Sequence, residues 1–200
     1  MPKVQEKIFS TLHVCYLKSL GFRKRSARSE RAVGKLHQAV VCLSSRFNSD
    51  DDVSFTLEVR LAHEDYFHLF RPAVPFPGLG EHVMPLWTFR PKDPEHGGEK
   101  WWNYRKDEEI QDFMTEVSMI WKSQLLPLIE QTSTLGGFID RCMCNSALLN
   151  FQPLSWALLY SGKRNEAEDI VKAAINEAPH ENARQFAISW HQKLFAIESQ

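Results

Sequence analysis

The chain has 200 residues, of which 43% are apolar and 24% are charged, a composition typical of a globular protein and not of a disordered tail, a collagen-like repeat or a coiled coil. Its 24 Lys and Arg against 25 Asp and Glu give a net charge of −1, which offers no whole-chain argument for binding nucleic acid or an anionic membrane. The longest apolar run, residues 39–43, is far shorter than the ~20 residues of a membrane-spanning helix. Because the N-terminal residues also lack the unbroken apolar stretch of a secretory signal, we expect a soluble cytoplasmic protein with no membrane partner.

The four cysteines form neither a disulfide framework nor a zinc motif in the sequence. Cys15 and Cys42 lie among apolar neighbours, where a free cysteine behaves as a small hydrophobe, so we expect both in the core. Cys142 and Cys144 form a C-x-C pair, one residue short of the C-x-x-C ligand spacing, and no second pair stands at zinc-finger distance. The sequence therefore predicts reduced thiols, and it indicates no metal and no cofactor.

Patterns in the first third of the chain predict a helix followed by antiparallel strands. Residues 3–20 have apolar positions at helical spacing, and Gly21 supplies the stop. Residues 36–43 are almost continuously apolar, as in a central strand, and a polar turn at 48–52 joins them to a second strand at 53–61. That second strand alternates strictly, which predicts a core face of Val53, Phe55, Leu57, Val59 and Leu61 and a solvated face of Ser54, Thr56, Glu58 and Arg60. The basic stretch 22–33 is expected to pair as a further strand.

Residues 72–106 form a Pro/Gly-rich excursion in which only 83–90 has the pattern of a strand. Pro85 restricts that strand to an edge or a bulge of the sheet. A long irregular segment of this kind is either a functional loop or an insertion. From about residue 107 the pattern becomes helical, with an apolar stripe that continues until Pro127 bends or ends it and with an interruption at Gly136 and Gly137.

The last third of the chain predicts a helical hairpin and a final helix. Residues 154–179 match the spacing of one tetratricopeptide unit, with its turn glycine, its small packing residues and its closing proline. A tetratricopeptide solenoid needs about three stacked units, and the pattern occurs once, so we interpret it as a hairpin packed on the main domain. The final helix is expected to carry Phe186, Trp190, Leu194 and Ile197 on one face.

A basic run between residues 18 and 35 polarises the charge of the chain. Seven basic residues and one acidic residue, Glu30, give this run a charge of +6. Because the net charge of the chain is −1, the remaining residues carry −7. Three interpretations stay open: a solvated or protected edge strand, a surface for an acidic protein partner, and a nucleic-acid site. Nucleic acid is disfavoured because only Phe22 is available for base stacking. The candidate binding residues are Arg23, Arg25, Arg28 and Arg31.

An aromatic cluster ends the Pro/Gly-rich excursion. Trp, Tyr and Arg are enriched at interface hot spots, so an exposed cluster would favour partner binding, whereas a buried one would anchor the loop on the core. Trp101 and Trp102 are adjacent, so both could be covered at a loop junction but not on a strand. The candidate residues are Trp101, Trp102, Tyr104 and Arg105.

A polar segment after the alternating strand provides the alternative candidate site. His63 and His68 invite comparison with the H-E-x-x-H zinc motif, but residues five apart point about 140° apart on a helix, and we expect the segment to be a solvated strand end. The sequence also lacks a phosphate-binding glycine loop and a nucleophile elbow, so we assign no catalytic residue and no metal ligand. A pocket beneath the 72–106 loop would use Glu58, Arg60, His63 and Glu64.

The order of motifs permits a family comparison. Residues 17–24, Leu-Lys-Ser-Leu-Gly-Phe-Arg-Lys, precede a basic strand and the strands at 38–47 and 53–61. Together with a tryptophan-containing strand at 85–89 and the segment Leu-Pro-Leu-Ile-Glu at 126–130, this order resembles a bacterial domain of unknown function, the 4304 family, over roughly residues 5–145. The resemblance implies an α+β domain with no established activity and therefore no catalytic residue to carry over.

The sequence thus predicts an α+β domain over 1–145, with the N-terminal helix packed on an antiparallel sheet of four to five strands, and a helical extension over 146–200. The favoured function is a non-enzymatic protein-interaction module, such as an immunity-like or scaffolding factor, whose partner is another protein. The alternative is an enzyme or small-molecule binder that uses the exposed sheet face. A deep enclosed pocket with perturbed pKa values would favour the alternative, and an open surface would favour the interaction module.

Overall fold

The computed structural model describes residues 3–49, 52–77, 85–105, 110–144 and 150–196. The chain begins with α1, Lys3–Leu12, which continues as one wide turn at His13–Leu17 and a tight turn at Lys18–Leu20. Gly21 ends it with φ 82°, a left-handed conformation that glycine adopts without a Cβ penalty. The predicted N-terminal helix is therefore present, with its stop at the expected residue.

In the described part of the chain, an antiparallel sheet of six strands follows, and it confirms the predicted α+β class. The strands are β1 (Arg23–Arg25), β2 (Arg28–Val33), β3 (Leu36–Ser44), β4 (Asp52–His63), β5 (Trp87–Phe89) and β6 (Trp102–Arg105). Their order is β1-β2-β3-β4-β5, and β6 also pairs with β4. The basic stretch therefore supplies an edge hairpin, β1 and β2, instead of one strand.

The inner face of the sheet packs against α1 and the later helices of the same unit. All five apolar residues predicted for the core face of β4, at positions 53, 55, 57, 59 and 61, are at most 1% exposed. Four of them share one cluster with residues of α1 and of β3, among them Phe9, Leu12 and Val40. The core face predicted from the alternation of this strand is therefore confirmed.

The outer face of the sheet is less solvated than its sequence predicts. Thr56 and Glu58 are 0% and 5% exposed, whereas Ser54 and Arg60 are partly exposed. β4 lies between β3 on one side and β5 and β6 on the other, so each side chain on its polar face has side chains of a neighbouring strand beside it. The expectation that all four residues face water is wrong, because alternation shows which residues share a face and not what covers that face.

A short helix after β4 corrects another expectation. Residues 64–70 form α2, Glu64–Phe70, and His63 caps its N-terminus, with Nδ1 accepting a hydrogen bond from the backbone N–H of Asp65 at 3.2 Å. Phe67 of this helix packs with Ala39 and Ala62 in a small outer-face cluster that Phe76 also contacts. The segment is helical because a buried aromatic face outweighs the polar residues that suggested a solvated strand end.

The described residues of the 72–106 excursion form two strands, where the sequence predicted one. β5 is an edge strand that pairs with residues 59–61 of β4, and β6 pairs with residues 52–55 of β4. The second strand was missed because Trp102 and Tyr104 occupy only four residues of strand, too few for a clear alternation. Residues 78–84 and 106–109 lie outside the described part of the chain.

The helices after the sheet complete the first unit. α3 (Ile110–Ile120) continues through a wide turn at Trp121–Leu125 into α4 (Leu126–Gln131), so the helix passes Pro127. Proline has no N–H and its ring clashes with the carbonyl four residues earlier, and a wide turn just before it relieves that clash. The wide turn also carries Trp121 and Leu125 into the core.

Packing divides the chain into two compact units, Met1–Ser133 and Thr134–Gln200. The second unit consists of α5 (Leu135–Cys144), α6 (Phe151–Tyr160), α7 (Arg164–Asn176) and α8 (Glu181–Ala196). Gly136 and Gly137 belong to the first turn of α5, where Thr134 Oγ1 accepts a hydrogen bond from the Gly137 N–H at 3.1 Å, so they do not interrupt a helix. Within the described ranges, no helix is both long enough and apolar enough to cross a membrane.

The predicted helical hairpin is present as α6 and α7. Gly162 turns the chain with φ 78°, and Ala167 and Val171 are fully buried. In α8 the buried residues are Ala187, Trp190 and Leu194, and Trp190 Nε1 donates to Ser155 Oγ at 2.9 Å. Phe186, which was predicted for this face, is 54% exposed, and Ile197 lies outside the described residues.

Candidate functional site

Strand geometry sorts the basic run onto two faces of the sheet. Successive residues of a strand point to opposite faces, and the register places Arg28 opposite Val41 of β3 and Arg25 opposite Arg28. Arg23, Arg25 and Arg28 therefore lie on the outer face. Arg31 lies opposite Gln38 and points to the inner face.

Arg31 is a structural residue of the fold. Its Nε donates to Gln38 Oε1 at 2.8 Å, and its Nη1 donates to the backbone carbonyl of Leu20 at 2.7 Å, at the end of the N-terminal helix. Its guanidinium also lies 4.8 Å from the centre of the Phe22 ring, and burial lowers its pKa. Gln38 in turn donates to the carbonyl of Ile129 at 2.9 Å, in the last turn of α4. The two side chains thus cap two helix ends, and Arg31 is committed to that task.

The outer face contains a groove of about 610 Å³, which we call the arginine groove. Residues 25–28 of the first hairpin, residues 41–44 of β3 and Arg60 of β4 line it. Val41 and Leu43 form its floor, with Arg25 and Arg28 on one side and β4 on the other. On β4 the direct neighbours of Val41 and Leu43 are Glu58 and Thr56, and Arg60 lies one outer-face position further along, beside Ala39. Among the described residues that line the groove, none is a carboxylate, so the lining itself is cationic with an apolar floor.

Two glutamates hold the arginines on either side of the groove. Glu30 accepts from Arg25 Nε at 2.6 Å and lies 3.3 Å from Arg28 Nε. Glu58 accepts from Arg60 Nε at 2.7 Å and from Arg90 Nε at 2.8 Å. Because these carboxylates flank the groove and do not line it, they orient the guanidinium groups without filling the space between them.

The pair of Glu58 and Arg60 extends into a second charge cluster. Arg90 Nη1 also binds both oxygens of Glu99, at 3.1 and 2.9 Å, and the hydrogen bonds of Glu99 and Glu58 raise the pKa of Arg90. Sequence reasoning missed Arg90 as a site residue. Its position one residue after β5, at outer-face parity, was the signal that could have found it.

The aromatic cluster divides between core and surface. Trp102 and Tyr104 are 1% and 5% exposed on the inner face of β6, whereas Trp101 is 38% exposed. Trp101 immediately precedes β6 and lies outside the strand that places Trp102 and Tyr104 in the core. Trp102 and Tyr104 are thus unavailable to a partner, and the side chain of Arg105 lies outside the described residues.

The four residues of the alternative pocket lie in two separate places. Glu58 and Arg60 pair beside the arginine groove, whereas Glu64 pairs with His37 Nε2 at 2.8 Å and His63 caps α2. His37 and Val41, the β3 residues beside these two pairs, are four residues apart, which is about 13 Å along a strand. Burial lowers the pKa of His63, but the ring is engaged with the helix terminus. The arrangement does not bring these four groups around one substrate.

The cysteines differ from their predicted environments in one case. Cys42 is buried in the core, where burial raises the pKa of its thiol to about 12, but Cys15 is exposed on the wide turn after α1. The apolar neighbours of Cys15 were misleading because a wide turn shifts the helical phase from which its burial was inferred.

The chemistry available at the arginine groove is anion binding. Each guanidinium carries five N–H donors that match a carboxylate or a phosphate, and the apolar floor adds a surface for an aliphatic group. Within the described parts of the chain, no group of three or more His, Cys, Asp and Glu side chains is placed to hold a metal ion. Comparison of the chain with protein-family models, with curated proteins and with solved structures finds no match.

Proposed function

We propose that this protein is a non-enzymatic protein-interaction module that holds an acidic segment of a partner protein in the arginine groove. The observation that supports the proposal is the lining of the groove, where Arg25, Arg28 and Arg60 from three different strands surround an apolar floor. A module of this kind neutralises or scaffolds its partner by covering the acidic surface of that partner. The cytoplasmic location and the membership in the 4304 family stay predictions within this proposal.

The charges of the outer face favour an acidic partner. Among the described side chains of the outer face and their ion-pair partners, the five arginines at positions 23, 25, 28, 60 and 90 stand against four carboxylates, at positions 30, 52, 58 and 99. The side chain of Arg25 is 65% exposed, so part of this charge extends into solvent and can attract an acidic surface before contact. The groove is about half open to solvent, so a segment of a partner chain can reach its lining.

Binding of fluorescent poly-L-glutamate, followed by fluorescence anisotropy, tests the proposal. The variant Arg25→Glu/Arg28→Glu should bind at least about tenfold more weakly than the wild type, since it reverses two charges of the groove. Lys7→Glu/Lys122→Glu is the matched control, because it makes the same change in net charge at exposed helical positions. That control should stay within about threefold of the wild type.

Measurements with added salt and with nucleic acid can overturn the proposed function. Binding should weaken as the salt concentration rises from about 50 to 300 mM, because dissolved ions screen the charges. The Debye length is ~10 Å at 0.1 M and shorter at higher concentrations. The proposal is overturned if polyglutamate does not bind or if both double variants weaken it equally. It is also overturned if duplex DNA binds in place of polyglutamate, with a log–log salt slope of about −0.9 per phosphate contact.

A further inference from the structure

The first strand of the sheet has an open edge. β1 pairs with β2 on one side, and within the described part of the chain no strand pairs with it on the other side. An open edge presents backbone N–H and C=O groups that can pair with a strand of another chain. The hydrogen bonds of the neighbouring strands show which groups of β1 are presented in this way.

Lys24 directs its backbone groups to the open edge. The Cys42 N–H donates to the Ala27 carbonyl at 2.8 Å, and this bond marks the adjoining pair of Arg28 with β3 as one that exchanges no hydrogen bonds of its own. Arg28 therefore directs its N–H and C=O to β1, where Arg25 lies opposite it. Orientation alternates along a strand, so the N–H and C=O of Lys24 point away from β2.

Basic side chains flank this edge on both faces of the sheet. Arg23 and Arg25 point to the outer face, and Lys24 between them points to the inner face. Burial lowers the pKa of His13, and the charges of Lys24 and Lys18 lower it further, so both ammonium groups lie near the His13 ring on the inner side. A strand added at this edge would therefore meet positive charge on each of its faces.

We infer that an acidic segment of the partner protein adds to the sheet as an extra strand at the open edge of β1. This inference rests on the proposed function and describes how the same partner is held beside the arginine groove. The residue opposite Lys24 exchanges two backbone hydrogen bonds with it, and its two neighbours lie opposite Arg23 and Arg25. Opposite side chains of paired strands have Cβ atoms about 4.5–5.5 Å apart, so three consecutive acidic residues each meet one cation.

The charges of β1 favour this occupant over a second copy of the chain. Two copies of β1 would place Arg-Lys-Arg opposite Arg-Lys-Arg, and like charges directly opposite each other destabilise a strand pair. Within the described residues, Arg23 and Lys24 form no ion pair, and Arg25 pairs with Glu30 through Nε, one of the five donors of its guanidinium. Carboxylates of an added strand can therefore bind all three cations.

Fluorescence anisotropy of labelled heptapeptides tests the inference on the wild-type protein. Thr-Val-Glu-Glu-Glu-Val-Thr should bind at least about tenfold more tightly than Thr-Val-Gln-Gln-Gln-Val-Thr, because only the first carries the charges. Methylation of the amide nitrogen of the central Glu removes the donor that faces Lys24 and should weaken binding at least about tenfold. Methylation at the preceding Glu is the matched control and should change binding by less than about threefold, since that N–H points away from β1.

The variant Lys24→Pro tests the same edge from the side of the protein. Proline removes the open N–H and leaves the hydrogen bonds between β1 and β2 in place, which is why edge strands tolerate it. Lys24→Gln is the matched control, because it removes the same charge and keeps the N–H. Lys24→Pro should bind the acidic peptide at least about fivefold more weakly than Lys24→Gln. Urea unfolding of both variants checks that the fold is retained, and the methylated peptides decide the question if Lys24→Pro is unstable.

The outcomes separate the inference from the proposed function. Equal binding of the two methylated peptides overturns the inference alone if polyglutamate still binds through Arg25 and Arg28, because the basic residues of β1 then only protect the edge. Self-association of the protein that Lys24→Pro abolishes also overturns the inference, since a second copy would then occupy the edge. Loss of polyglutamate binding overturns the proposed function.

Discussion

Replacement of Arg31 by methionine tests whether this arginine belongs to the fold and not to the binding surface. Methionine keeps an aliphatic side chain of similar length and removes every hydrogen-bond donor. The change leaves the buried Gln38 amide oxygen and the Leu20 carbonyl without the donor that each has in the structure. It also removes the cation from the face of Phe22.

The expected loss of stability follows from these contacts. A hydrogen bond from a charged donor contributes about 1.5–3 kcal/mol, and two such bonds, at 2.8 and 2.7 Å, are lost together with a longer one of 3.5 Å to the Ile129 carbonyl. The cation–π contact adds about 0.5–1 kcal/mol. Because Arg31 is only partly buried, water replaces part of what is lost at the Leu20 carbonyl. We therefore expect Arg31→Met to lower the free energy of unfolding by about 2–4 kcal/mol.

Urea unfolding monitored by circular dichroism measures this loss. Arg25→Met is the control, because the side chain of Arg25 is 65% exposed and its ion pair should contribute less than about 1 kcal/mol. A double-mutant cycle of Arg31→Met with Gln38→Leu should give a coupling of about 1 kcal/mol or more, since the two side chains form one network. A loss for Arg31→Met no larger than that for Arg25→Met would refute the assignment of Arg31 to the fold.

Two further predictions concern titratable groups. Burial raises the pKa of the Cys42 and Cys142 thiols to about 12, so at about pH 8 a thiol reagent should modify the exposed Cys15 and Cys144 first and the buried pair only as the chain unfolds. Mass spectrometry counts the adducts, and equal rates at all four sites would contradict the structure. Burial lowers the pKa of His63 in the folded chain, so its contribution to stability is fully present above its unfolded pKa of about 6.5 and is lost as the pH falls from there through the lowered folded pKa. His63→Asn retains an acceptor for the N-terminus of α2 and should reduce the fall in urea midpoint between about pH 7.5 and 5.5; an unchanged fall would count against this interpretation.

The elements with a strong period could be predicted from the sequence. The inner face of β4 has five apolar residues at period two, and hydrophobic burial is strong enough to fix the register of such a strand. The N-terminal helix and its glycine stop follow from the same kind of pattern. What covers the outer face could not be predicted, because Phe67 and Phe76 come from an irregular region and contact Ala39 and Ala62 only after the sheet has formed.

Short elements were the least predictable. β6 has four residues and its place beside residues 52–55 of β4 depends on a contact about fifty residues away along the chain. α2 has seven residues, and its N-terminus is capped by His63, a residue that the usual helix-start signals of Ser, Thr, Asp and Asn do not include. In both cases tertiary packing determines the structure, and local propensity carries little of that information.

The candidate site shows the same limit in a form that matters for function. Arg28 and Arg31 are three residues apart on one strand, and the sequence presents them as one basic run. An odd separation places them on opposite faces of the sheet, so one arginine borders the arginine groove while the other caps two helix ends. A charge-reversal scan that treated the run as a unit would attribute to binding a loss that arises from unfolding at Arg31. The acidic-partner proposal therefore depends on variants that change the outer-face arginines alone, because only those positions separate recognition from stability.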